Sequence, residues 1–446
     1  MTNLEHLGYR QELQRALTFR DLVVYGMVFM VPISPFGVFG FVYKDAKGMV
    51  PLAYLVGLVG MFFTAMSYAS MSRAFPVAGS VYSYVGRGLH EVAGFFAGWL
   101  ILLDYILVPA LLYVFSAVAL QPLLPGVPEW VWVLGFVSFN AAVNLRGVRL
   151  TARVNLGMLA LEIMALALFV VVGLLALYRG AGAGALTLEP MYDPAVFSMA
   201  TIAGATSIAV LSFLGFDGIS TLAEESLGGE GSIARATLAS LLLVGALFIL
   251  QTWIAADLAQ GTRLSSAETA FYEIAGRAGG APLRLLVIGT NILASGIANA
   301  LAAQAAVSRV LYAMARDGRL PAMLARVHPR YRTPHVSTLL VAGISLGVGV
   351  LCVDHLDDLT RVVNFGALSG FLLLHVAVIH HYVIRGRSRA WLTHLAMPLA
   401  GLAVIGYVLY EMDRAAKIMG AVWIALGLVY FAVRTIILKK PAAIDL

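Results

Sequence analysis

The chain has 446 residues, 60% of them apolar and 12% charged, with a mean hydropathy of +0.87 and a formal net charge of +6. Soluble domains carry roughly 45–50% apolar and about 25% charged residues, so this composition cannot cover a surface that faces water. It excludes a soluble enzyme, a disordered chain and a disulfide scaffold; the single cysteine, Cys352, cannot close an intramolecular bridge.

In chain order, stretches with the ~20 apolar residues that cross a hydrocarbon core fall at 20–42, 50–72, 93–120, 129–145, 153–178, 196–224, 235–258, 284–312, 336–353, 359–384, 392–411 and 416–437. An all-α polytopic membrane protein with twelve transmembrane helices is expected. Met1 to Gln14 is polar and of mixed charge (Glu5, Arg10, Glu12), without the basic start and apolar centre of a cleavable signal. Basic residues gather in alternate loops. Arg10, Arg15, Arg20, Arg73, Arg87, Arg146, Arg149, Arg153, Arg235, the run from Arg309 to Arg332, Arg385, Arg387, Arg389, Arg434, Lys439 and Lys440 share the side of the N-terminus. Retained positive charge marks the cytoplasmic face, so the segments 1–19 and 438–446 are both expected there. The basic balance reflects topology, and no basic stripe interleaves with stacking aromatics, which argues against nucleic acid as a partner.

Two stretches are interrupted. The first contains Pro32-Ile33-Ser34-Pro35-Phe36-Gly37-Val38-Phe39-Gly40, where prolines remove donors and glycines weaken the helix. The sixth contains Ser212-Phe213-Leu214-Gly215-Phe216-Asp217-Gly218. Unwound backbone at membrane depth survives only where protein or a wet cavity surrounds it. Breaks five helices apart are the signature of an inverted five-plus-five repeat with a substrate site between them; ordinary kinks are the simpler alternative. The repeat divides the chain into 20–178 (helices 1–5), 196–384 (helices 6–10) and two peripheral helices in 392–437.

Further stretches carry a family resemblance. They are Phe75-Pro76-Val77-Ala78-Gly79-Ser80-Val81-Tyr82-Ser83-Tyr84, Gly98-Trp99 leading to Asp104-Tyr105, and Ser212 to Asp217 running on to Thr221-Leu222-Ala223-Glu224-Glu225. Later come Ala294-Ser295-Gly296, Val307-Ser308-Arg309 through Arg316-Asp317, His328-Pro329, Arg332-Thr333-Pro334 and Asn364-Phe365-Gly366-Ala367-Leu368. In order and over nearly the whole chain, they resemble the amino acid–polyamine–organocation superfamily, most of all its bacterial putrescine importers. The resemblance implies a LeuT-like fold, alternating access, a bacterial cytoplasmic (inner) membrane and coupling to protons. It implies no cofactor and no metal. In those importers an Asp stands in the first break where this chain has Gly37, so one expected carboxylate is missing. A diamine asks for an anion near each ammonium.

Ionisable residues at membrane depth are functional candidates by default. Asp104 lies about ten residues into the third helix, ~15 Å deep at 1.5 Å per residue. It is read as meeting a substrate ammonium or as pairing with a neighbouring helix, and Tyr105 beside it offers a hydroxyl and a cation-holding ring. Glu162, in the fifth helix, stands where the resemblance places a Lys in several permeases. It is read as a proton carrier, as a carboxylate bonded to unwound backbone, or as a stand-in for the missing first-break acid. Asp217 either caps the helix that resumes after the sixth break or meets substrate, and Phe213 and Phe216 either close over a ligand or pack between helices. Glu224 and Glu225 are read as an inner gate paired with arginines, and Asn364 as a polar contact or gate. His375 reads as a satisfied core histidine. Amide N–H groups around Ser34, Phe36 and Gly37, at a positive helix end, suit a carboxylated substrate.

His90-Glu91 lacks the second histidine of a zinc helix, Gly180-Ala181-Gly182 follows no strand, and no Gly-Lys-Ser/Thr phosphate loop occurs. The expected partners are a small-molecule substrate, protons and membrane lipid. The reading is a secondary active transporter importing a small organic cation such as putrescine. An amino-acid permease or exchanger is the near rival, and a membrane enzyme or sensor the remote one.

Overall fold

A computed structural model of the chain describes residues 12–120, 124, 126–228, 231–267, 269–351, 356–412, 414–433 and 435. Residues 1–11, Cys352, and the expected tail 438–446 lie outside them. Among the described residues the fold is all-helical, and the extended contacts reduce to one isolated bridge between Leu17 and Ser226.

The helices, in order, are α1 Phe19–Met30, α2 Pro35–Asp45, α3 Val50–Ala74, α4 Ser80–Gly88, α5 Glu91–Leu120, α6 Glu129–Leu145, α7 Val148–Tyr178 and α8 Met199–Ala209. There follow α9 Ser232–Ala259, α10 Ala270–Leu293, α11 Ala300–Arg316, α12 His335–Leu351, α13 Leu356–Val378, α14 Met397–Glu411 and α15 Arg414–Ala432. Each of the twelve apolar stretches carries a helix. Among the described residues, eight helical segments are long and apolar enough to cross a membrane, nine with the bent pair α1–α2 counted as one. The stretches 129–145, 336–353 and 416–437 hold helices of 17, 17 and 19 residues. The eighth stretch is longer than its apolar pattern: α10, a π-helical turn Ala294–Asn299 and α11 form one apolar run, Ala270–Arg316, with a kink at Gly280. The short helix α4 was not anticipated from hydropathy, because its apolar residues are interleaved with Ser80, Ser83 and Arg87.

Both expected breaks are present. Thr18 caps α1 through a box in which its side chain accepts from the Asp21 N–H while the Asp21 carboxylate accepts from the Thr18 N–H. The helix stops at Val31, whose φ of +54° is strained for a β-branched residue, and Pro32 and Pro35 cannot donate to a continuing ladder. The chain resumes as α2, bent by 51° from α1. In the sixth stretch α8 tightens into a 3-10 turn, Val210–Phe213. It breaks at Leu214–Gly215 and resumes as a ten-residue 3-10 segment, Phe216–Glu225. Gly215 is required twice over. Its φ is +112°, and a Cβ there would stand 2.8 Å from both the ring and the carbonyl oxygen of Phe29. The two breaks therefore touch through backbone.

Around this centre α9 packs along α3, α13 along α5, and α10 along α7, while α14 covers α3 and α13. α15 is clasped to α5 by a reciprocal pair, Trp99 Nε1–H to the Trp423 carbonyl (2.9 Å) and Trp423 Nε1–H to the Trp99 carbonyl (2.7 Å). Gly215→Ala is expected to lose folded protein, because it adds a left-handed penalty of roughly 1–2 kcal/mol to a clash that neither Phe29 nor the break can relieve. Detergent-solubilised yield and melting temperature check this; a variant that melts with the wild type would show that the breaks do not depend on contact here.

Candidate functional site

The sequence candidates fall into a buried central layer and a set of ion pairs on the side of the N-terminal segment. In the central layer Asp217 sits in the first turn after the sixth break and is fully engaged by protein. Its Oδ2 accepts from the Tyr105 hydroxyl in a very short bond and from the Tyr68 hydroxyl at 3.3 Å, and its Oδ1 accepts from the Gly215 N–H at 3.3 Å. The cap position itself is held by Gly215, and Asp217, two residues later, accepts from its N–H in place of the cap role foreseen for it. Tyr105 spends its hydroxyl on this carboxylate and its ring lies 6.2 Å from that of Phe29.

Asp104, one residue before Tyr105 on α5, is different. It is buried, its Oδ1 has no hydrogen-bond partner, and it lies close enough to Asp217 for their charges to interact. α13 approaches α5 at this level, where a Cβ on Gly366 would stand 3.0 Å from the Asp104 nitrogen. Glu162 on α7 is also buried, with neither carboxylate oxygen hydrogen-bonded. The reading of Glu162 as bonded to unwound backbone therefore has no contact behind it in this conformation. None of the ion pairs among the described residues involves Asp104, Asp217 or Glu162.

The aromatic candidates pack outward from the layer. Phe36 stacks on Phe271 at 4.3 Å and meets Phe169 at 6.0 Å. Phe213 packs on Phe248 and Tyr54, and Phe216 on Tyr68 and Phe371. At the start of α2 the Phe36 N–H is bonded to the Ile33 carbonyl at 2.8 Å, the Gly37 N–H to that of Ser34 at 3.2 Å, and the Ser34 N–H to that of Val31 at 2.8 Å. The donors foreseen for a substrate carboxylate are already engaged. Gly37 itself is half-buried and faces Phe115 and Asn291 at ordinary contact distance. The side chain of Asn364 lies outside the described residues. His375 is the satisfied core histidine expected, its two ring nitrogens 3.2 and 2.8 Å from Thr64 Oγ1 and Ser67 Oγ.

Beside the N-terminal segment Glu224 and Glu225 do pair with arginines. Arg316 holds Glu224 with two bonds of 3.0 and 2.8 Å, and Arg309 makes a very short bond to Glu225 while donating to the Ala305 carbonyl at 2.8 Å. Gly79, at φ +117°, turns the chain into α4, and the preceding Ala78 N–H reaches Glu224 Oε1 at 3.0 Å. The Glu225 carbonyl accepts from the N–H groups of Ala16 and Leu17, both at 3.0 Å. The N-terminal segment, α4, α11 and the end of the sixth stretch are thereby locked together.

Sequence reasoning missed Tyr68 and Gln251. Gln251, buried in α9, donates to the Pro32 carbonyl at 2.8 Å and so satisfies the first break; a lone glutamine inside an apolar run was the available signal. Breaking a buried ion pair from one side costs about 3–5 kcal/mol, whereas replacing both partners is often close to neutral. Arg309→Met is therefore expected to destabilise strongly, and Arg309→Met combined with Glu225→Leu much less. Melting of the single and double variants checks this, and equal losses would show that the pair is not coupled.

A family model described as amino acid permease matches residues 22–433. A low-affinity putrescine importer of Escherichia coli strain K12, PlaP, is 33% identical over 97% of this chain and 96% of its own length. A branched-chain amino acid permease of Bacillus subtilis, BcaP, is 28% identical over 94% of this chain and 93% of its own. A methylthioribose transporter of the same organism is 24% identical over 94% of each. The chain belongs to the amino acid permease family and is a multi-pass membrane transporter, not an enzyme.

Proposed function

We propose that the protein is a proton-coupled secondary transporter that imports a small organic cation, with putrescine favoured, by alternating access around the two breaks. In this reading all twelve helical stretches cross a bacterial inner membrane with both termini in the cytoplasm. Residues 20–178 and 196–384 form inverted repeats, and 392–437 two peripheral helices. The observation that carries the substrate class is the set of buried carboxylates Asp104, Asp217 and Glu162, none in an ion pair. Buried charge without a partner is costly, and a cationic substrate supplies the missing partner. Asp104, with a free acceptor, takes the ammonium; Asp217, held by Tyr68 and Tyr105, lends charge to the same layer.

Ser34 and Gly37 border this layer from the first break, and Phe36, Phe213 and Phe216 shape it through packing. Arg309–Glu225 and Arg316–Glu224 form the inner gate, with Asn364 assigned to the gate from sequence. Glu162 carries the coupling proton, because a carboxyl that is uncharged when protonated can cross the cycle without a counter-ion. The similarity to BcaP keeps an amino-acid substrate as the second reading. The engaged donors at Ser34, Phe36 and Gly37 favour the cation.

Proteoliposome uptake of radiolabelled putrescine, competed by cadaverine, spermidine and an amino-acid panel, tests this directly. Diamines are expected to compete more strongly than isoleucine, and Asp104→Asn to cut putrescine uptake by about tenfold or more. Stronger competition by neutral amino acids establishes the second reading instead. A pH gradient, acidic outside, is expected to stimulate uptake by the wild type and not by Glu162→Gln; a variant that responds to the gradient like the wild type sinks the proton assignment.

A further inference from the structure

Glu162 needs a route to water at some stage of any proton cycle, and it is sealed in this conformation. α7 carries two more polar side chains on the same face. Thr151, Asn155 and Glu162 are spaced by four and seven residues, so at 3.6 residues per turn they point within about 40° of one another. All three are buried. Asn155 is 0% exposed, and both its amide nitrogen and its amide oxygen lack a hydrogen-bond partner. A buried amide normally satisfies itself, so an Asn with both ends free between two helices marks a place built for a mobile partner such as water.

At the inner end this face opens into a small cavity lined by Thr151, Ala152, Asp21, Tyr25 and Arg309, with ≈ 10 Å³ accessible to the centre of a water molecule. Leu17 and Leu222 complete its lining, in which Asp21 and Ala152 are half-buried. Thr151 lies one turn from Asn155, ~6 Å along the axis, and Glu162 lies ~10 Å beyond it. Helical side chains lean toward the N-terminus, which tilts Glu162 toward Asn155 and Asn155 toward the cavity.

Titratable groups on the surrounding elements are committed elsewhere. On α1, Asp21 bonds Thr18 and Tyr25 donates to the Ala302 carbonyl, and Arg20 is exposed. On α9, Arg235 lies over Phe19 and Asp257 accepts from Thr187. On α10, Tyr272 accepts from Asn291, Glu273 bonds Thr269, and Arg277 and Arg284 are exposed. On α11, Arg309 and Arg316 hold Glu225 and Glu224, and Tyr312 donates to Glu12. Glu129 sits at the far end of α6, and Arg149 and Arg153 on α7 itself are exposed.

We propose that Thr151, Asn155 and Glu162 form a polar file along α7 that passes protons, through water held at Asn155, between the inner-face cavity and the membrane centre. Asn155 is a positioning residue in this file: its amide can donate to one water and accept from the next. The proposal rests on the reading of Glu162 as the proton carrier and adds the route by which that proton reaches the cytoplasm.

Infrared spectroscopy of the full-length protein in lipid nanodiscs tests it without any substrate. The carboxyl stretch of Glu162, identified by its loss in Glu162→Gln, is followed after transfer to heavy water. Asn155→Leu is expected to slow its hydrogen–deuterium exchange about tenfold or more, and Asn155→Ser, which keeps a hydroxyl and room for water, to stay within about threefold of the wild type. Ala152→Leu fills the cavity without touching Asn155 and is expected to slow exchange as well. Wild-type exchange in both Asn155→Leu and Ala152→Leu overturns the file and leaves the Glu162 assignment standing. Absence of a protonated Glu162 band between pH 5 and 8 overturns that assignment and the file with it.

Discussion

The constraint on which the rest depends is that a bilayer offers no water to an interrupted backbone. The first break is held by a side chain from another element, and the sixth by its own Asp217, which other elements fix in turn. The Pro32 carbonyl takes its hydrogen from Gln251 on α9, and the Gly215 N–H gives its own to Asp217. Asp217 in turn is fixed by tyrosines from α3 and α5. Neither break can move unless one of these bonds is exchanged for another of equal quality. In the proposed cycle a substrate that bonds the same groups supplies that exchange, and its binding energy then biases helix motion.

The segment between the sixth break and the arginine pairs is suited to carry such motion. Phe216–Glu225 is ten residues of 3-10 helix, well beyond the three or four in which that geometry usually persists. Asp217 stands at one end and the arginine pairs of Glu224 and Glu225 at the other, ~16 Å apart at about 2.0 Å per residue. Poor internal hydrogen bonding makes the arm dependent on its ends. The arginine pairs and the N-terminal segment hold one end; the two tyrosines hold the other.

Much of this was legible in the sequence because the bilayer leaves few ways to write it. Two prolines and two glycines around Ser34, and Gly215 beside Asp217, announced the breaks where they occur. Two adjacent acids ending the sixth stretch, on the side where arginines gather, announced the pairs at Glu224 and Glu225. What hydropathy could not reveal was direction. The Phe36 ring turns toward Phe169 and Phe271, and Tyr105 turns toward Asp217, because rotation about a helix axis is set by packing that spacing does not specify. The partner of a polar atom was equally hidden: Tyr68 lies 149 residues from Asp217, and nothing local links the two. The helix α4 was missed because it is only nine residues long and its apolar residues are interleaved with Ser80, Ser83 and Arg87, although most of it is buried.

The balance between an organic cation and an amino acid turns on which backbone and side-chain groups still have capacity. An amino acid brings a carboxylate as well as an ammonium, and the carboxylate needs donors. Those nearest the first break are spent on the 3-10 turns that start α2, so receiving a carboxylate there means unwinding α2 by a turn. Acceptors, by contrast, are in surplus: Asp104 has an open oxygen, and Asp217 is bonded only to neutral hydroxyls and an amide. Gly37 removes an acid where the resemblance expects one, yet the remaining charge is still carboxylate without a basic counterpart. A site with surplus acceptors and committed donors selects against anionic groups before any shape is considered, and that asymmetry is what ranks a cation ahead of a zwitterion here.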